Sequence, residues 1–179
     1  MKRYFSFYII AIFIFWAASV VAVGAASKGC NPQGSWVSFD PLGPSWTAVV
    51  QGQSASSGTN ELEYPFLLPK FPVVFPGQPG YPGYLFPDAV GMTPLRGAWE
   101  RTGGNTFDYT MVGHGYGENG IPMWAGKVIG DITLHEDCNS GDFAAIVEVF
   151  VCPACNPFTD EPFTVITWPT TTGYRVVVE

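Results

Sequence analysis

The sequence predicts an all-β chain, folded as a single antiparallel up-and-down β-barrel of about eight strands, with a two-sheet β-sandwich as the runner-up. Three observations predict it. From Leu95 onward, apolar and polar residues alternate with period two. Short Gly-, Asn- and Asp-rich breaks separate these runs, as hairpin turns do. No stretch of useful length carries the 3.6-residue period of an amphipathic helix. Closing such a meander into a barrel removes its exposed edges, which makes the barrel the most economical arrangement.

The elements follow in order. "GSWVSFD" and "SWTAVVQGQ" read as two early strands. A segment at about 64–94 follows, with Pro65, Pro69, Pro72, Pro76, Pro79, Pro82, Pro87 and Pro94. Proline removes a ladder donor and breaks helices, so this insert is neither a central strand nor a helix. It also carries Tyr64, Phe66, Phe71, Phe75, Tyr81, Tyr84 and Phe86, so it reads as an ordered loop that caps the barrel or covers a sheet edge. Six strands come next, at about 95–101, 106–116, 121–136, 142–152, 162–168 and 173–178. In the second, Phe107, Tyr109 and Met111 alternate with Thr106, Asp108 and Thr110. The turns fall at Thr102–Asn105, Glu118–Gly120, Asn139–Asp142 and Pro169–Gly173.

Met1-Lys2-Arg3 precedes an apolar run that ends in Gly24-Ala25-Ala26. A basic start, an apolar centre and small residues at the end form the pattern of a secretory signal peptide, residues 1–26, ahead of one domain at 27–179. An uncleaved anchor and a lipoprotein acylated at Cys30 are the alternatives. With the signal removed, six Lys and Arg stand against fifteen Asp and Glu, a formal charge of −9. That balance argues against nucleic acid and anionic membrane surfaces as partners. The expected location is secreted or periplasmic, with no stable membrane insertion after cleavage.

All four cysteines lie in the exported part, and an even number in an oxidising compartment favours disulfides. Hairpin register selects the pairing. The turns near 103, 140 and 171 share one end of the meander, and those near 119 and 157 share the other. Cys138 belongs to the first end, Cys152 and Cys155 to the second. A strand of ~10 residues separates them by roughly 30 Å, whereas a disulfide needs Cα atoms within about 7 Å. The expected bridges are therefore Cys30–Cys138 and Cys152–Cys155. Two other uses of "CPAC" remain open, a redox pair and a zinc site completed by His114 and Glu118.

No G-x-S-x-G elbow, P-loop or H-E-x-x-H motif is present. "DCNSGD" gathers Asp137, Asn139 and Asp142, which fits an Asx-rich turn better than a calcium loop. His114 lies in "GHGYG", whose glycines permit close approach of a ligand or relax a strand at a bend. No catalytic residue, metal or cofactor is assigned.

Gly34-Ser35-Trp36 near the mature start, with Arg175 in the last strand, resembles the lipocalin or calycin pattern, in which an early G-x-W tryptophan packs under a C-terminal arginine at the closed end of the barrel. The middle Thr-Asp-Tyr motif of that family is absent. "GAWERTGGNTFDYTMVGHG" is also similar to exported bacterial β-barrel proteins of unknown function that carry a G-x-W-x-R-T-G run. The resemblance implies a barrel that binds a small apolar or aromatic ligand, with Trp99, Tyr109, Met111, His114 and Trp124 as candidate ligand-binding residues. Two other functions stand beside it: a scaffold that meets a protein partner through its Pro/aromatic segment, and a barrel-type cyclase or hydrolase using His114 or a carboxylate in the lumen.

Overall fold

The computed structural model describes residues 29–38, 46–63, 70 and 83–177. The signal segment 1–26 and most of the Pro-rich insert lie outside the described residues.

Nine strands are described: β1 (Gly34–Ser38), β2 (Thr47–Gly52), β3 (Ser57–Glu63), β4 (Gly91–Met92), β5 (Leu95–Arg101), β6 (Thr106–Tyr116), β7 (Pro122–Leu134), β8 (Ser140–Val151) and β9 (Thr164–Arg175). All pair antiparallel, and eight close into a ring in the order β1-β2-β3-β5-β6-β7-β8-β9. The seam is β1 on β9, with Trp36 opposite Arg175 and Ser38 opposite Gly173. The short β4 lies outside the ring and pairs with the far end of β6.

The observed β5 and β6 have the bounds expected from sequence. Two expectations are corrected. The two strands expected at about 162–168 and 173–178, joined by a turn at Pro169–Gly173, are instead one continuous strand, β9, over Thr164–Arg175. Its register shifts against β8 between Phe143 and Ala145, where Thr171 faces Phe143 and Trp168 faces Ala145. This bulge accommodates Pro169, which has no N–H to give, and lets Trp168 and Thr171 both point inward. The second correction is β3, which the sequence did not disclose. Its inward row is Gly58, Asn60 and Leu62, with one large apolar side chain among three. The count of eight ring strands thus holds, with β3 taking the place of the second half of β9.

Inward rows fill the lumen with aromatic rings: Trp36, Trp46, Trp99, Phe107, Tyr109, Trp124, Phe143 and Trp168 are all buried. Glycines directly across the strands make room for them. Gly58 faces Trp99, Gly115 faces Trp124 and Gly130 faces Tyr109. A Cβ at any of the three would run into the facing ring or hydroxyl, or the backbone beside it. The aromatic side chain thus lies over a neighbour that has none, which packs the pleated surface densely. The Gly115 of "GHGYG" serves this purpose.

The first end of the barrel, where the 53–56, 102–105 and 135–139 turns lie, is sealed by residues 29–33. Cys30 is bonded to Cys138 with Cα atoms 5.2 Å apart, and its N–H donates to Asn105 Oδ1 at 2.9 Å. Arg101 donates to the Cys30 carbonyl at 2.7 Å and stacks over Phe107 at 4.5 Å. Arg175 donates to the Asn31 carbonyl and lies over the Trp36 ring at 4.9 Å. Trp36 Nε1 donates to the Pro32 carbonyl at 2.7 Å. Each arginine combines ring stacking with hydrogen bonds to the strap, a use for which the planar guanidinium is suited.

Candidate functional site

Four of the five candidate ligand-binding residues, Trp99, Tyr109, Met111 and Trp124, are buried on inward rows. They are spread along the barrel axis. Trp99 packs edge-on against Phe107, its ring centroid 5.6 Å away, and donates to the Gln51 carbonyl at 3.1 Å. Trp124 stacks on Phe86, 6.2 Å away, from the segment that precedes β4. His114 lies on the outward row of β6, one residue out of phase with Met111, Gly113 and Gly115. Its backbone is tied to Thr93 by two hydrogen bonds of 2.9 and 3.0 Å. His114 therefore does not join the other four.

Around Tyr109 and Met111 lie small internal voids of about 10 and 20 Å³. The larger is bordered by Asn60, whose buried Oδ1 has no protein partner. That space matches one water molecule and is far below the several hundred Å³ of a small-molecule pocket. The buried polar residues are Ser38, Asn60 and Thr171, so no carboxylate or histidine of the described residues enters the core. Tyr109 is its titratable group. Burial, aided by the Asp131 charge, pushes this phenol well above its usual range, and it stays neutral as it donates to the Ala144 carbonyl at 3.4 Å.

A Ser-His-Asp grouping does occur at the first end. His135 Nδ1 lies 2.9 Å from Ser140 Oγ, and Nε2 lies 3.2 Å from Asp142 Oδ2. Ser140 Oγ is also within 3.1 and 3.2 Å of both Asp137 oxygens, so the hydroxyl is engaged by a carboxylate. Asp137 Oδ1 in turn accepts from the Asn139 and Ser140 amides at 3.0 and 3.1 Å. This is an Asx turn closing the β7–β8 hairpin. The amide of Asn139, with help from Ser140 and the nearby His135, holds the Asp137 carboxyl below its usual value of 3.8. A depressed native pKa adds stability above the unfolded value, and that stability is lost as pH falls through the native one. Asp137→Asn is therefore expected to lower the urea midpoint at about pH 6, with the difference from the parent shrinking below about pH 3.8.

The run Gly115-Tyr116-Gly117-Glu118-Asn119-Gly120 has the spacing of a dinucleotide-binding glycine motif. It closes the β6–β7 hairpin, with Gly120 N–H donating to the Gly117 carbonyl at 2.9 Å. The motif's chemistry needs a helix N-terminus after the glycines, and a strand follows here.

"CPAC" is a staple. Cys152 and Cys155 are bonded, with Cα atoms 4.7 Å apart, in the connection from β8 to β9. The zinc alternative with His114 and Glu118 loses both thiolates to this bond. Among the described residues, no three His, Cys, Asp or Glu side chains gather as metal ligands.

This connection borders a cleft of about 910 Å³ at the second end. Three stretches meet there: Phe86, Pro87, Asp88 and Val90 before β4, residues 117–119 and 121–123 of the β6–β7 hairpin, and Val151, Cys152 and Pro153. Val90, Ile121 and Val151 are each about half exposed at 52%, 49% and 54%. Asp88, Glu118, Asn119 and Lys70 supply the polar part. Nothing in the sequence marks Val90 or Val151 as a binding surface; the one signal is an apolar Ile121 directly after the Glu118-Asn119-Gly120 turn. Compared with known proteins, the chain matches no family model, no curated protein and no solved structure, so its function must be read from this geometry.

Proposed function

We propose that the protein is an exported, calycin-like barrel that binds an apolar group at its second end, in the cleft rather than in the lumen. The observation that carries this is the contrast between a cleft of about 910 Å³ and internal voids of about 10 and 20 Å³. The barrel is then a packed scaffold, and the connections at one of its ends do the binding. One feature supports export: both cysteine pairs are oxidised, as suits an oxidising compartment. The contact of Trp36 with Arg175 supports the calycin likeness, with the strap-covered end as the closed one.

A neutral apolar dye, N-phenyl-1-naphthylamine, tests the reading. Its fluorescence is expected to rise with the purified protein, and Ile121→Asp is expected to weaken binding about tenfold, given ~1.5–3 kcal/mol for burying such a side chain. Ile121 is exposed, so the change leaves the core intact. Equal dye affinity in the variant would overturn the cleft as the site.

A further inference from the structure

We infer that the occupant of the cleft is an extended segment carrying apolar and basic side chains together, a cationic amphipathic peptide. This deepens the proposed function and rests on it.

The cleft offers such a segment two kinds of contact. Val90, Ile121 and Val151 present half-exposed apolar side chains, which gain by being covered. Beside them Asp88 and Glu118 are exposed and form no ion pair among the described residues. Lys70 is the single cation among the described lining residues. The β8–β9 connection adds Asp160 and Glu161 on the same end of the molecule.

The placement of the remaining cations sharpens the asymmetry. Arg101 and Arg175 are committed to the strap at the opposite end. Arg96 pairs with Glu61 at 3.2 Å, and Lys127 with Glu148 at 2.9 Å, both along the barrel wall. Among the described residues, Asp88 and Glu118 at the second end thus form no ion pair, with Lys70 the one cation beside them. An apolar surface rimmed by unpaired negative charge favours a partner of opposite charge and disfavours an acidic one, because like charges brought together by docking repel. A second copy of this chain, itself strongly acidic, is disfavoured on the same ground.

The test uses the full exported chain and three dansyl-labelled dodecapeptides of alternating sequence: Leu–Lys, Leu–Ser and Leu–Glu. Fluorescence anisotropy is measured at low salt and at about 0.3 M salt, where exposed charges are largely screened. The Leu–Lys peptide is expected to bind roughly tenfold more tightly than Leu–Ser at low salt, from about a three- to fivefold gain at each carboxylate. High salt, or Asp88→Asn with Glu118→Gln, is expected to remove most of that preference for Leu–Lys over Leu–Ser. Equal binding of Leu–Glu, or a preference that survives the double variant, would overturn the charge inference. If the naphthylamine dye binds in an Ile121-dependent way but Leu–Lys is no better than Leu–Ser, the cleft stands and the cationic partner falls. If neither the dye nor any peptide binds, the cleft reading falls and takes this inference with it.

Discussion

Phe143→Ala is expected to destabilise the protein by about 3–5 kcal/mol, as truncation of a buried aromatic does. Phe143 sits on β8 between two tryptophans, with ring centroids 4.6 Å from Trp46 and 5.8 Å from Trp36, both edge-on. Its ring lies against Gly173, where a Cβ would come within 2.6 Å of it. The lost contacts are therefore with large, fixed neighbours that collapse poorly into the vacated space. Phe143 also borders both internal voids, so its removal joins them into one apolar cavity on the order of 100 Å³. The variant is then expected to bind benzene and to regain part of its stability with it by mass action, while the parent gains none. Urea unfolding with and without benzene checks both statements. A loss below about 1 kcal/mol, or a parent that binds benzene internally, would show that the lumen is not packed as described.

Replacing Cys30 and Cys138 together by serine is expected to cost about 4–5 kcal/mol, because the bridge closes a loop of 108 residues. The same estimate gives only about 2 kcal/mol for Cys152 and Cys155, which are three residues apart. The two double variants should therefore differ clearly in urea midpoint. The first should also loosen the strap, exposing the Trp36 indole that Pro32 and Arg175 now cover, which tryptophan fluorescence would report as a red shift. Equal midpoints would mean that Arg101 and Arg175 hold the strap without the bridge.

The barrel was legible where local pattern and tertiary placement agree. Phe107, Tyr109 and Met111 alternate cleanly and are bounded by unambiguous turns, so β6 could be drawn to the residue. The cysteine pairing was legible because it depends only on which end of a hairpin each residue occupies, and that survives errors of several residues in strand bounds. β3 was hidden because its inward positions hold Gly58 and Asn60, which serve Trp99 and a void rather than supplying apolar bulk. β9 was cut in two because Pro169 and Gly173 look like a turn; here one sits at a bulge and the other makes room for Phe143. The cleft was not legible at all. Its apolar contacts come from Val90, Ile121 and Val151; hairpin register brings the last two to one end, but Val90 arrives beside the two-residue β4, whose pairing with β6 no pattern in the sequence announces. His114 faces outward by the same alternation that turns Met111 inward, since a shift of one residue exchanges the two faces of a strand.

The strap at the first end has a mechanical consequence. The described chain enters the barrel at Gly29 and leaves it beyond Arg175, and both points lie at that end, where Arg175 N–H donates to the Asn139 carbonyl at 2.8 Å. Tension applied between the two would pass from Cys30 through its sulfur bridge into the 135–139 turn, and from there to the neighbouring tip of β9. That load path crosses only one pole of the molecule. A tether attached at either side of the domain could therefore be pulled without deforming the opposite pole, where the cleft stays open to whatever it meets.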